Sequence, residues 1–275
     1  MFMKNLSQIL INREKLKETS PLIHAITNPI AINMVANAIL GIGAKAICAA
    51  HPDEVSEIVN MAKSLSINLG NITSERMLAM ARAVRKANEV KIPTAIDVVG
   101  VGASSLRLNY AKDLLTKDNF DLIKGNSSEI KALCGEKSEA VGIDVGRADE
   151  ISDENIKELS YMARKLSKKY QATILLTGKI DLLVDEDRYF LIENGVENLS
   201  RITATGCMLT GLISSFMAVA DPISACLTGL LLLEVSSEKA DTDRLGTFYV
   251  NLMDEISTIS DDEIIQRAKI REVKF

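Results

Sequence analysis

Tryptophan is absent from the 275 residues, histidine occurs only as His24 and His51, and the four cysteines stand far apart. Two histidines exclude a histidine-rich metal site. Cys48, Cys134, Cys207 and Cys226 show neither the paired spacing of a zinc site nor a disulfide framework, so a reducing, cytoplasmic setting is expected. No glycine-rich loop ends in Lys-Ser or Lys-Thr, which excludes a P-loop. No Ser-His-Asp ordering surrounds either histidine, which leaves a hydrolase triad without support. Negative charge slightly outweighs positive, 37 Asp and Glu against 32 Lys and Arg. The net charge of -5 offers no general attraction to nucleic acid or anionic lipid, so any anionic ligand must be held by local groups. Met1-Phe2-Met3-Lys4-Asn5 lacks the apolar run and cleavage site of a secretion signal. The most apolar region, residues 208–233, is broken by Asp221-Pro222 into pieces shorter than the roughly 20 residues that cross a bilayer, so buried helices are expected there.

Hydrophobic residues make up 47% of the chain and charged ones 25%, an ordinary balance that supports a large core. Residues 6–17 read as an amphipathic surface helix through Leu6, Ile9, Leu10 and Leu16. A short apolar segment then ends at Thr27-Asn28-Pro29, and a helix over residues 30–40 carries Asn33 and Asn37. From there short apolar runs alternate with helical stretches. Strands are expected at 44–50, 66–70, 94–100, 122–125 and 172–178, and an antiparallel hairpin over 180–185 and 188–192. Residues 52–64 read as a helix, and the next helix starts behind Thr73 or Ser74 with Met77, Met80, Ala81, Val84 and Ala87 on one face. Residues 135–150 read as a surface loop. Ser152 reads as the N-cap of a further helix, with Ile151 and Ile156 as its staple. From Gly206 to about Ile256 the chain reads as helical, broken near Asp221 and between Asp241 and Gly246. This order implies an α/β fold, a mainly parallel central sheet with helices on both faces and a helix-rich C-terminal region, in one domain over 1–275.

Ligands of such sheets bind beyond the carboxyl ends of the strands, where Asn68-Leu69-Gly70, Asp97, Lys124-Gly125-Asn126 and Thr177-Gly178 are expected to stand. The stretch Ile202-Thr203-Ala204-Thr205-Gly206-Cys207-Met208-Leu209-Thr210 leads into an apolar helix. Thr205 and Gly206 would turn the backbone there, and the free first amides would suit a phosphate. The same field would favour the thiolate of Cys207, which could then take a proton from a hydroxyl; a capped helix with a buried cysteine is the alternative. Asn126 and Glu129 at i,i+3 could hold magnesium through water, or could form a capping box. Asp97 suits a metal-bound water or a turn, and Lys124 either a phosphate or solvent. Asn28, Asn33 and Asn37 could cap their helix or orient a ligand. His24 reads as a structural hydrogen-bonding residue and His51 as a loop or cap residue. Residues 100–105 brush against the dinucleotide fingerprint, with Ser105 in place of its third glycine.

Taken in order, Ile23-His24-Ala25-Ile26-Thr27-Asn28-Pro29, Leu69-Gly70, Ile96-Asp97-Val98-Val99-Gly100-Val101-Gly102-Ala103, Lys124-Gly125-Asn126-Ser127-Ser128-Glu129-Ile130, Leu176-Thr177-Gly178 and Thr205-Gly206-Cys207-Met208-Leu209-Thr210 resemble the hydroxyethylthiazole kinase family of the ribokinase-like superfamily. The resemblance runs from about Pro21 to Thr210. It implies ATP-dependent phosphorylation of the primary alcohol of 4-methyl-5-(2-hydroxyethyl)thiazole, a step of thiamine salvage. Cys207 would take the position that an aspartate base holds in related sugar kinases. Lys124, Thr177, Thr205 and Gly206 would meet ATP, and Asp97, Asn126 and Glu129 would organise Mg2+. Asn28, Cys48, Gly70 and Ala204 would meet the thiazole. The resemblance also implies a homotrimer with pockets between subunits.

The sequence departs from the family pattern at three of these places: Ala204 stands for Gly, Val98 for Pro and Cys48 for Met. Ala204 restricts the backbone beside the phosphate, and Cys48 enlarges the thiazole pocket. A ribokinase-like kinase of another small alcohol and a non-catalytic nucleotide-binding sensor therefore stay open as alternatives. A dinucleotide-dependent oxidoreductase built on residues 100–105 has the least support.

Overall fold

The computed structural model describes residues 2–136 and 150–275, so most of the loop expected at 135–150 lies outside the described residues. Strands β1 (Leu22–Ile26), β2 (Lys45–Ile47), β3 (Ser64–Asn68), β4 (Thr94–Asp97), β5 (Leu122–Asn126) and β6 (Thr173–Thr177) pair in parallel in the order β2-β1-β3-β4-β5-β6. The hairpin of β7 (Asp181–Val184) and β8 (Arg188–Ile192) and the last strand, β9 (Ile270–Lys274), extend the sheet antiparallel beyond β6. Because β2 and β3 flank β1 on opposite sides, the order reverses at β1. A crevice opens at such a reversal, beyond the strands' carboxyl ends.

Successive side chains of a strand point to opposite faces, and these strands are apolar on both. Ile23, Ala25, Ala95, Leu122 and Leu175 pack under α1 (Phe2–Thr19), α2 (Ile32–Gly41), α9 (Thr205–Met217), α10 (Pro222–Ala240), α11 (Leu245–Thr258) and α12 (Asp261–Arg267). Ile26, Leu65, Ile67, Ile96, Ile123 and Ile174 pack on the other face under α3 (Val55–Met61), α4 (Ser74–Val90), α5 (Ser105–Lys117), α6 (Ser127–Cys134) and α7 (Ile156–Tyr170). A short helix, α8 (Asn198–Arg201), precedes α9. No helix among the described residues is long and apolar enough to cross a membrane.

Helix α9 carries Cys207, and small residues let it sink onto the sheet. Ser64 Oγ donates to the Ser214 carbonyl at 2.7 Å, and a Cβ on Gly211 would come within 2.9 Å of Val35 Cγ1 on α2. Such close packing fixes the height of the helix mouth over the strand ends.

Several sequence expectations change. The α1 helix is more than a surface cover: Leu6, Leu10 and Leu16 are fully buried, each stabilising by about 2 kcal/mol. Arg13, itself buried, ties α1 to the far end of the chain through the Ile259 carbonyl and Asp261. Asn33 and Asn37 are exposed and bond to each other at 3.1 Å, apart from the site. Helix α7 starts at Ile156 rather than behind Ser152, because Asn155 Oδ1 takes the Ser152 N–H and closes a turn there first. Thr73 caps α4 as read, accepting from the Arg76 N–H. His24 Nε2 meets the Ala49 carbonyl at 2.9 Å, and burial lowers its pKa, so it is a neutral structural group. His51 Nδ1 accepts the Asp53 N–H in a turn.

Candidate active site

The reversal of strand order places Asn28, just after β1, beside Asn68, the last residue of β3, under the mouth of α9. Both amides point at one sulfur: Asn28 Nδ2 and Asn68 Nδ2 each donate to Cys207 Sγ at 3.3 Å. Their orientations are set by what their oxygens accept. Asn28 Oδ1 takes the Ile30 and Ala31 N–H groups at 3.0 and 3.1 Å, so it closes the turn that leads into α2, whose N-cap is Ala31, and faces the site at once. Asn68 Oδ1 takes the Gly70 N–H at 2.8 Å. Gly70 must be bare, since a Cβ there would meet Asn68 Oδ1 at 2.8 Å and Asn28 Nδ2 at 3.0 Å.

Asp97, directly across from Asn68 in the β3–β4 register, is the polar hub. Its Oδ2 accepts from Asn68 Nδ2 at 3.1 Å, Lys124 Nζ at 3.1 Å and Thr210 Oγ1 at 2.8 Å. The pair with Lys124 is buried on both sides, at 1% and 4% side-chain exposure. Burial pulls the Lys124 pKa down, but Asp97, then Cys207 and Glu129, more than offset it, and its pKa ends above the ordinary value. The ammonium lies 3.6 Å from where a Gly206 Cβ would be, behind the first turn of α9.

That turn is open. Ala204 stands at the N-cap position with φ +71°, and among the described residues no side chain caps the helix, so the leading amides stay available beside the half-buried Thr205 and the exposed Gly206. Thr205 Oγ1 donates to the Leu199 carbonyl at 2.8 Å and pins the incoming loop. The field of the helix mouth does not leave Cys207 as a thiolate. Burial, and next the charge of Asp97, push its pKa up to about 11 against the help of Lys124, Asn68 and Asn28, so the resting group is a thiol.

Asn126 and Glu129 do form the capping box: Asn126 Oδ1 takes the Glu129 N–H and Glu129 Oε2 the Asn126 N–H, both at 2.8 Å. Capping does not exhaust Glu129, whose Oε1 also accepts the Gly100 N–H at 2.7 Å. That bond uses the amide a dinucleotide loop would need for phosphate, and Gly100 itself sits at φ +74° with Arg107 Nη1 filling the space of a Cβ. Burial first, then Asp97, raises Glu129 to about 7 despite these two N–H donors and Lys124. Val98 donates its N–H to the Lys124 carbonyl at 2.8 Å, a bond that proline could not make.

Among the described residues no three His, Cys, Asp or Glu side chains gather as a metal cage. A hard cation here would draw on one or two carboxylates and take its remaining oxygens from phosphate and water. That is how magnesium is usually held, so Asp97, Asn126 and Glu129 fit it.

The structure thus brings Asn28, Gly70, Asp97, Lys124, Gly206 and Cys207 together, with Asn126 and Glu129 beside them. Thr177 stands opposite Asn126 at the end of β6, half-buried. Cys48, half-buried, follows β2 on the far side of β1 from Asp97. Asn68 and Thr210 join the constellation without having been singled out as site residues. A polar side chain ending the buried Ser-Leu-Ser-Ile-Asn strand was the available signal for Asn68.

The chain matches the hydroxyethylthiazole kinase family over residues 13–262. It is 45% identical over 259 residues to hydroxyethylthiazole kinase 2 of Clostridium botulinum, covering 94% of this chain and 98% of the relative. The solved hydroxyethylthiazole kinase protein of Pyrococcus horikoshii superposes with a TM-score of 0.87 at 32% identity, over 97% of this chain and 99% of that one. A ribokinase-like superfamily protein of Enterococcus faecalis shares the fold alone, with a TM-score of 0.60 at 12% identity over 88% and 89% of the two chains. The fold is therefore ribokinase-like, and the chain belongs to the hydroxyethylthiazole kinase family.

Proposed function

We propose that the chain transfers the γ-phosphoryl group of ATP to the hydroxyethyl oxygen of 4-methyl-5-(2-hydroxyethyl)thiazole, the salvage step of thiamine synthesis. The observation that carries this reading is Cys207 Sγ, held by two amide donors at the uncapped mouth of α9 with the Asp97–Lys124 pair beneath it. An alcohol lying against this sulfur and a phosphate against the leading amides would be in line for transfer.

Phosphoryl transfer rests mainly on positioning and charge neutralisation, so a weak base suffices. The thiolate form of Cys207, its own proton already released to solvent, receives the hydroxyl proton late. It does so as the new bond from the alcohol oxygen to the γ-phosphorus forms and the bond to the ADP oxygen breaks. Lys124 and the α9 amides hold the negative oxygens, with Thr177, Thr205 and Gly206 lining the nucleotide side. Asn28, Cys48, Gly70 and Ala204 line the alcohol side. Mg2+ bound through Asp97, Asn126 and Glu129 would supply further neutralisation of the phosphate charge.

The homotrimer with shared pockets belongs to the same reading. Its support is apolar exposure next to the site: Ile30 is 64% exposed and Ile32 38%, just after Asn28, and β2 leaves one sheet edge unpaired among the described residues. We also place the protein in the cytoplasm as one functional domain. Its cysteines are free, and a single sheet runs through the described chain.

The test is ADP release by the pure protein. Turnover should require both magnesium and the thiazole alcohol and should vanish in Cys207→Ala and Glu129→Gln. No release at saturating substrate sinks the reading, and faster release with another small alcohol moves the substrate. Light scattering checks the trimer.

A further inference from the structure

One buried guanidinium takes no part in the chemistry above. Arg76, in the first turn of α4, is 9% exposed and forms no ion pair among the described residues. Its Nε has no partner among them either. Both its burial and its place in the helix cost free energy. A charge taken out of water without a counter-ion is unfavourable, and a cation in the first turn opposes the positive end of the helix dipole. What Arg76 touches accounts for it better than helix propensity or core packing.

Arg76 Nη2 donates to the Thr27 carbonyl at 2.6 Å. The β1–β3 ladder ends at the Ile26–Ile67 pair, so Thr27 is the first residue past it and the strand no longer dictates its course. Arg76 takes over at that point. The next residue is Asn28, whose Nδ2 donates to Cys207 Sγ. Arg76 also continues the segment that carries the second donor: Asn68 ends β3, and residues 69–73 lead straight into α4. The start of that helix is itself held, since Thr73 Oγ1 accepts the Arg76 N–H at 3.2 Å.

Asn28 is therefore fixed at two points by one stretch of chain. Gly70 lies so close that a Cβ there would come within 3.2 Å of Asn28 Cβ, and Arg76 holds the carbonyl one residue earlier. The bond from Arg76 joins the two turns whose amides meet at the sulfur.

We propose that Arg76 is a positioning residue: a clip between the turn after β1 and the turn after β3 that keeps Asn28 aimed at Cys207 and at the alcohol beside it. This role rests on the kinase reading. A neutral side chain of similar length would take the charged donor away from the carbonyl of Thr27, a residue only 6% exposed, and the turn would relax and carry Asn28 with it. Lys124 and Thr177 belong to β5 and β6, away from both turns, so the nucleotide side keeps its shape.

The experiment is steady-state kinetics of the full chain with ATP and the thiazole alcohol each varied, and a thermal melt of every variant to confirm folding. Wild type is compared with Arg76→Met, which keeps the chain length without a donor, Arg76→Lys, which keeps a charged donor, Asn28→Ala, and the double variant Arg76→Met with Asn28→Ala. Arg76→Met should lower kcat/KM for the alcohol by at least about tenfold while KM for ATP stays within about twofold. Arg76→Lys should recover most of that loss. The double variant should fall within about threefold of Asn28→Ala alone, because the clip acts through Asn28. If Arg76→Met does not fold, Arg76→Gln, neutral and shorter, takes its place in the same cycle. Losses that multiply in the double variant, a matching rise in KM for ATP, no recovery in Arg76→Lys, or full activity without the guanidinium overturn the clip alone. A wild-type protein without turnover overturns the kinase reading and the clip with it.

Discussion

Asn68 Nδ2 lies 3.3 Å from Cys207 Sγ and 3.1 Å from Asp97 Oδ2, so one amide serves the thiol and the carboxylate that suppresses its ionisation. The two N–H donors of that NH2 group are divided between the two acceptors. Placing a thiolate at Cys207 means setting a second negative charge beside Asp97 in a buried site, which is why the field of α9 alone does not ionise it.

Since the thiol pKa is about 11, the thiolate fraction grows about tenfold per pH unit through the neutral and mildly alkaline range. Above the titration of Glu129, kcat should rise with pH. Cys207→Asp, which puts a carboxylate at this position, should flatten that rise and keep turnover within about tenfold at neutral pH. Cys207→Ala should cost about 100-fold or more, the usual scale of a lost general base. A pH–rate profile of the three proteins decides, and an unchanged slope in Cys207→Asp removes Cys207 as the proton acceptor.

Glu129 gives a second pH dependence, readable without substrate. Its folded pKa, about 7, lies above the ordinary glutamate value of 4.5, so the native state holds the proton more tightly than the unfolded chain. The associated stability is fully present below about pH 4.5 and is lost as pH rises through about 7. Glu129→Gln removes the titration. Its Tm relative to wild type should therefore climb between about pH 5 and about pH 8 in metal-free buffer, even if its absolute Tm is lower through imperfect pairing with the Gly100 and Asn126 N–H groups. Thermal melts at several pH values provide the check, and a constant Tm difference would show that Glu129 titrates normally.

Ala204 carries φ +71° at the mouth of α9. An L-residue in the left-handed region costs about 1–2 kcal/mol, and glycine returns part of that as chain entropy in the unfolded state. Ala204→Gly should raise Tm by about 1–2 °C, and Ala204→Val, β-branched in the same conformation, should lower it by several degrees, roughly. A Tm that falls in Ala204→Gly would mean that the alanine methyl packs well enough to offset the strain.

The alternation of apolar runs with helices foretold the parallel sheet and its two helical faces, because strands covered on both sides are continuous in hydrophobicity. Lys124, Asp97 and Asn126 were also legible, as polar residues that end such runs. The Asp97–Lys124 ion pair was not, since it depends on the lateral register of β4 and β5, for which one sequence carries no signal. Helix α5 and strand β9 went unread. In α5 only Ala111, Leu114 and Leu115 are buried, and β9 is a mostly exposed edge strand whose Ile-Arg-Glu-Val-Lys pattern lacks a clean alternation. Arg76 was hidden for the opposite reason: it looks like a solvated cation until the turn at Thr27 is seen to take its guanidinium out of water.

The height of α9 over the strand ends gives the last prediction. Gly229 of α10 faces α9 so closely that a Cβ would meet Ile213 Cγ1 at 2.7 Å and the Ile213 backbone N and Cα at 3.3 Å. Part of that contact is backbone, which cannot swing aside, so α10 must move away. Gly229→Ala should destabilise by about 1–3 kcal/mol despite alanine's better helix propensity, a Tm loss of about 3–10 °C. Gly246→Ala is the control, since a Cβ there meets nothing within 4 Å, and it should stabilise by up to about 1 kcal/mol. Ile213→Ala removes the Cγ1 clash, so the double substitution with Gly229→Ala should be less damaging than the sum of the two by about 1 kcal/mol. Because α9 carries Cys207, Gly229→Ala should also lower kcat for the folded protein, and denaturant melts alongside turnover separate the two effects. Strict additivity together with unchanged kcat would mean that the α9–α10 contact does not set the position of the thiol.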